Sequence, residues 1–184
     1  MNDATQYGVT VQRAQPNDAG YVWRALLIKH LEPSENGGNH HIYCDVYGQD
    51  GRELRGSTGV RVAWDWNGRH GDERADPAPL EKPKPEHMAN VPMNKGQVIR
   101  VWIDGGGYPS DIVTNLHGDH PDEDGGNSRF HHSFWIAWQL VNARDAATDT
   151  GNTDELDRVI AQFEALLSAL RDIRDARKAQ QARG

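Results

Sequence analysis

Within the first 143 residues, several short runs alternate apolar and polar positions with period two, the signature of half-buried β-strands. Residues 60–66 (Val60-Arg61-Val62-Ala63-Trp64-Asp65-Trp66) give the clearest case, with Trp64 and Trp66 on one face. Residues 40–47 place Ile42, Cys44 and Val46 on one side and His41, Tyr43, Asp45 and Tyr47 on the other. Ile99, Val101 and Ile103 align within residues 97–104, as do Phe134, Ile136, Trp138 and Leu140 within residues 130–141. Val9 and Val11 start a shorter strand. The long apolar run of residues 21–31 sets Val22, Leu26 and Ile28 against Trp23, Ala25 and Leu27. Turn signals such as Pro16-Asn17-Asp18-Ala19-Gly20 and Gly48-Gln49-Asp50-Gly51 separate these runs. Six or seven strands with no helical period between them predict an antiparallel β-sandwich rather than a βαβ fold.

Two segments interrupt the strands. Residues 67–95 carry Pro77, Pro79, Pro83, Pro85 and Pro92, which predicts an extended loop lying across the sandwich surface. Residues 105–128 read as a second long loop, a length that usually accompanies function or mobility.

The pattern changes beyond the strands. All nine prolines, nine histidines and six tryptophans precede residue 143, and the chain after it is rich in Ala, Leu, Arg, Asp and Gln. Asn152 followed by Glu155 has the form of a capping box. Leu156, Val159, Phe163, Leu166, Leu170 and Ile173 then follow in steps of 3, 4, 3, 4 and 3, a coiled-coil-like heptad seam. Ile160 and Leu167 widen the stripe beyond what a dimer needs. A helix docked on its own sandwich also shows a wide stripe, but the regular spacing favours self-association, most simply as a trimer. The predicted organisation is an N-terminal arm (1–20), a sandwich (21–143), a linker (144–151) and an amphipathic C-terminal helix (152–182). The short strand before Pro16 and the arm are expected to attach the chain to a neighbouring subunit.

Charge and composition narrow the function. The chain of 184 residues has 20 Lys+Arg against 27 Asp+Glu, a net charge of -7, which argues against a nucleic-acid partner. Residues 151–184 hold six acidic and six basic side chains, so the whole deficit belongs to the residues before them. No apolar run is long enough to span a bilayer, and the N-terminus lacks the basic and apolar regions of a signal peptide. One cysteine excludes a disulfide within the chain, and Cys44 on an apolar strand face reads as an inert core thiol.

Candidate chemistry is sparse. His117, Asp119, His120, Asp122 and Asp124 could together supply metal ligands, but no His-x-His, HExxH or 2-His-1-carboxylate spacing is evident. Polar strand-end histidines are the plainer reading, with His40 and His132 hydrogen-bonded at the core edge. Residues 119–127 have the oxygen donors of a calcium loop without an EF-hand register, so they read as a solvated acidic loop. No cofactor is expected beyond a structural Ca²⁺ in that loop. No catalytic residue stands out. Tyr43, Tyr47, Trp102 and Trp135 are the candidate ligand-binding residues, because outward aromatics on a sheet can stack on sugars or fill an interface.

Three segments carry a family resemblance: Asn39-His40-His41-Ile42-Tyr43-Cys44-Asp45-Val46-Tyr47, Tyr108-Pro109-Ser110-Asp111-Ile112-Val113 and His131-His132-Ser133-Phe134. Residues 21–141 resemble a β-sandwich accessory domain of bacterial and phage proteins, often found beside cell-wall hydrolases. The resemblance implies an immunoglobulin-like fold and a non-catalytic role. Unlike those domains, the sandwich here is expected to be joined to its own helix and not to a hydrolase. The expectation is a non-enzymatic, oligomeric virion surface protein of the capsid-decoration or fibre type, placed on the virion or an extracellular surface. Its expected partners are like chains, a capsid protein or a surface glycan. The alternatives are a carbohydrate-binding module for cell-wall glycans and a metal-dependent enzyme built on histidines.

Overall fold

A computed structural model describes residues 1–118 and 132–143. The predicted linker and helix, with the seam residues Leu156, Val159, Phe163, Leu166, Leu170 and Ile173, lie outside the described residues. Among the described residues the chain is mainly β. Its strands are β1 (Thr10–Gln12), β2 (Tyr21–Leu31), β3 (His41–Tyr47), β4 (Val60–Trp66), β5 (Ala78–Pro79), β6 (Ala89–Pro92), β7 (Ile99–Gly105), β8 (Ile112–Leu116) and β9 (Ser133–Asn142). They form a five-stranded sheet, ordered β1-β8-β7-β4-β5, and a four-stranded sheet, ordered β2-β9-β3-β6. A one-turn helix, α1 (Pro33–Asn36), leads from β2 towards β3.

The inner faces carry the apolar residues that the alternation picks out. Ile42, Cys44 and Val46 of β3 join Phe134, Ile136 and Trp138 of β9 and Ile99, Val101 and Ile103 of β7 in one buried cluster. Burying each large side chain contributes about 1.5–3 kcal/mol, which suffices to hold two sheets face to face. The close approach of β4 and β7 needs Gly105, where a Cβ would lie 2.6 Å from the Gly59 carbonyl oxygen and 2.7 Å from the Val60 Cα.

Four features correct the sequence expectations. The sandwich is not wholly antiparallel, because β3 pairs parallel with β9. Strand β9 is antiparallel to β2 and lies between β2 and β3. A strand inserted between two oppositely directed strands must run parallel to one of them. In β2 a bulge between Ala25 and Leu27 shifts the register, so Trp23, Ala25 and Ile28 share the core face and Leu27 does not. Residues 67–95 are not a surface loop throughout. They supply β5 and β6 at the outer edges of the two sheets, where Pro79 and Pro92 interrupt no central ladder. Residues 105–128 likewise contain β8, which pairs with both β1 and β7.

The N-terminal arm is part of this sandwich rather than free for a neighbour. Ala4 and Val9 are fully buried in the core cluster, β1 pairs with β8, and the Ile28 N–H donates to the Met1 carbonyl. Asp111, 0% exposed, locks the arm to both sheets. Its carboxylate accepts hydrogen bonds from Arg13 (2.5 Å), Arg24 (2.8 Å) and the backbone N–H groups of Ala14 (3.0 Å) and Ala25 (3.1 Å). A carboxylate this buried is tolerated only when fully paired.

Asp111→Ala strands Arg24 and two backbone donors. It should lower the unfolding free energy by about 3–5 kcal/mol, read from urea denaturation. Arg13→Ala removes a guanidinium that is 58% exposed and should cost no more than about 1 kcal/mol in the same measurement.

Candidate functional site

The outward face of the four-stranded sheet gathers polar and aromatic side chains around β3. The register sets Tyr43 of β3 beside Trp135 of β9 on one side and Asn90 of β6 on the other. Asp45, two residues on, therefore lies on the same face, and it is 6% exposed. Its Oδ2 accepts from Trp135 Nε1 at 2.8 Å and faces His87 Nδ1 at 2.6 Å, while its Oδ1 accepts from the Met88 N–H at 3.0 Å. Burial by itself would raise the Asp45 pKa. The hydrogen bond and charge of His87, with the Met88 and Trp135 donors, outweigh it and hold the carboxyl below its ordinary value. The ionised carboxylate keeps the proton on His87 Nδ1 and leaves Nε2 as the position where that ring can accept or donate.

A chain of rings runs outward from this dyad. The centroid of His87 lies 5.1 Å from that of Trp135 and 5.1 Å from that of Tyr43. Tyr43 lies 5.9 Å from His41, and His41 stacks on His40 at 5.6 Å. His40, His41, Tyr43 and His87 are half-buried, whereas Trp135 is 3% exposed and forms the floor. Burial pushes the His41 pKa down and the Tyr43 pKa up, so both are neutral near pH 7. His41 Nδ1 is buried with no hydrogen-bond partner among the described residues, a cost of about 1–3 kcal/mol.

A second group stands at one end of the sandwich. His30, near the end of β2, and Glu32, just past it, are two residues apart and share a side; His132 enters β9 next to them. His132 Nδ1 is 2.8 Å from His30 Nε2, and Tyr7 donates to Glu32 Oε1 at 3.1 Å while its ring stacks on His30 at 3.7 Å. The two histidine side chains are 5% and 2% exposed, and Glu32 is 45% exposed. These three residues each offer one potential ligand atom, all within 4.8 Å of one another.

The structure brings together only some of the residues singled out from the sequence. Tyr43 and Trp135 are neighbours, but Trp135 is buried by its surroundings instead of offering an open stacking face. Tyr47 is half-buried on the same strand, its hydroxyl pKa pushed well up by burial and by Asp45. Trp102 is in the other sheet, opposite Ala63, and takes no part in this group. His117 follows β8; Asp119, His120, Asp122 and Asp124 lie outside the described residues. His132 is hydrogen-bonded at the core edge, as the sequence suggests, but its partner His30 is not visible from spacing along the chain.

His87, His30, Glu32 and Tyr7 were missed by the sequence reading. The pair His30-x-Glu32 carried a signal, since two ligand types two apart on a strand share one side. The second histidine, a hundred residues away, supplies the 2-His-1-carboxylate set that linear spacing conceals. No protein-family model, curated protein or solved structure matches the chain, so these two groups of side chains carry the functional reading.

Asp45 gives a pH test. Its folded pKa is depressed below the unfolded value of about 3.9. The stability it contributes is present above that value and is lost as pH falls through the folded value. Asp45→Asn should therefore be less stable than the parent at pH 7, by about 1–3 kcal/mol. The difference should shrink as pH falls below about 4 in urea titrations across pH.

Proposed function

We propose that this chain is a non-enzymatic binding protein that takes a polar, ring-bearing ligand of the glycan class on the outer face of its four-stranded sheet. The observation that supports the reading is the ring chain of His40, His41, Tyr43 and His87, anchored on Asp45 and Trp135. Sugars present apolar C–H faces that pack on rings and hydroxyls that need directed partners. Here a neutral imidazole, a neutral phenol and a carboxylate-oriented imidazole alternate along one strand and its neighbour. A β-sheet floor gives these groups fixed spacing, which lowers the ordering cost of binding.

The finer likeness to an immunoglobulin-like accessory domain belongs to the same proposal, as does display in several copies on a phage particle or a comparable surface. One such site binds weakly. The heptad seam of residues 156–173 would present several on one assembly, and linked sites raise avidity through effective concentration.

A panel of soluble polysaccharides titrated calorimetrically against the full chain tests the reading. Binding to at least one of them is expected. Tyr43→Ala and His87→Ala should each weaken that binding at least tenfold, about 1.4 kcal/mol. Trp102→Ala, on the other sheet, should leave it unchanged. No binding across the panel, or binding that both sheet-face variants retain in full, overturns the proposal.

A further inference from the structure

We propose that His30, Glu32 and His132 bind a divalent transition-metal ion, of which Zn²⁺ suits the donors best. This site is separate from the sheet face and does not rest on the glycan reading. Three residues from two chain segments about a hundred positions apart each offer one ligand atom, and these atoms lie within 4.8 Å of one another. His30 Nε2 and His132 Nδ1 are 2.8 Å apart, and the Glu32 carboxylate lies 3.5 Å from His30 Nδ1 and 3.7 Å from His132 Nδ1. A tetrahedral zinc with bonds near 2.0–2.1 Å needs ligand atoms about 3.3 Å apart. The 2.8 Å contact uses one ring nitrogen of His30 and the 3.5 Å contact the other, so seating an ion requires rotations that exchange the His30–His132 hydrogen bond for a ligand–ligand spacing of that size and turn one atom of each residue toward it.

The donor types choose the ion. Imidazole nitrogen suits Zn²⁺ and its neighbours in the first transition row, whereas Ca²⁺ and Mg²⁺ prefer all-oxygen shells. Three protein donors leave a fourth position, and Glu32 is the exposed side of the group, so solvent or an exchangeable ligand reaches the ion from there.

The surroundings hold the ligands still. The Tyr7 ring stacks on His30 at an interplanar angle of 20°, and Phe134 meets His30 edge-on at 5.5 Å. The His30 backbone N–H donates to Asp3 Oδ1 at 2.8 Å, and the Tyr7 hydroxyl donates to Glu32 Oε1. The Glu32 backbone N–H donates to Glu35 Oε2 at 3.1 Å at the start of α1. Of these, the Tyr7 hydroxyl bond to the Glu32 carboxylate is the kind of outer partner that orients a ligating group. An ion here would pin the N-terminal segment, the end of β2 and the start of β9 together.

The test uses the full chain, stripped with a chelator and titrated with ZnCl₂ alone. One equivalent should bind, and the melting temperature should rise with the ion. CoCl₂ in its place should give the visible absorption of a tetrahedral nitrogen–oxygen site. Glu32→Gln, an exposed isosteric change that leaves the core untouched, should weaken Zn²⁺ binding at least tenfold and remove most of the thermal shift. His132→Asn should lose the cobalt spectrum. Absence of stoichiometric uptake by the parent chain overturns the proposal. So does binding that Glu32→Gln retains at parent affinity, because the ion would then sit on other histidines. Polysaccharide binding should be the same with and without the ion, so failure of either proposal is distinguishable from failure of the other.

Discussion

The insertion of β9 between β2 and β3 is the constraint on which the rest of the molecule depends. It is a central strand, hydrogen-bonded along ten residues of β2 and six of β3. From Ser133 to Trp138 it is buried on both faces. Its inner side chains, Phe134, Ile136 and Trp138, complete the core. Its outer face brings Trp135 to Asp45, and its first turn of chain brings His132 to His30. Both candidate groups are thus by-products of one strand placement. Neither could form if β2 and β3 closed directly on each other as a hairpin.

Buried carboxylates show how the fold tolerates polarity near its core. Asp111 and Asp45 are each almost inaccessible, and each is surrounded by donors from different segments. They differ in what their partners leave free. Around Asp111 the partners are two arginines and two backbone amides, so the carboxylate acts as a clamp joining the arm, β2 and the approach to β8. Around Asp45 one partner is a half-buried imidazole with a second nitrogen to spare. The same electrostatic requirement therefore yields a structural tie at one place and an oriented imidazole at the other.

The alternation of apolar residues located the long strands well, because burial on one face imposes a period of two whatever the partner strand is. Residues 21–31 and 60–66 match β2 and β4 end to end. Short strands were harder. β5 and β6 are two and four residues long and each contains proline, and only their place at a sheet edge makes them strands. β8 sat inside a stretch rich in glycine and polar residues, where five residues of weak alternation do not stand out. The bulge in β2 also escaped notice. Arg24 and Lys29, five residues apart, change parity across it, but the apolar residues on both parities of Tyr21–Leu31 mask that switch.

By itself, then, the sequence determined the mainly β class, the core faces of β3, β7 and β9, the burial of Cys44, and the shared face of Tyr43 and Asp45. Each follows from local alternation, which the backbone geometry enforces residue by residue. Only the tertiary structure decided the parallel pairing of β3 with β9, the incorporation of the N-terminal arm, and the meeting of His30 with His132 and of His87 with Asp45. Those depend on which strands become neighbours. Strand order is set by the packing of the whole core, and linear spacing carries no record of contacts between residues a hundred positions apart.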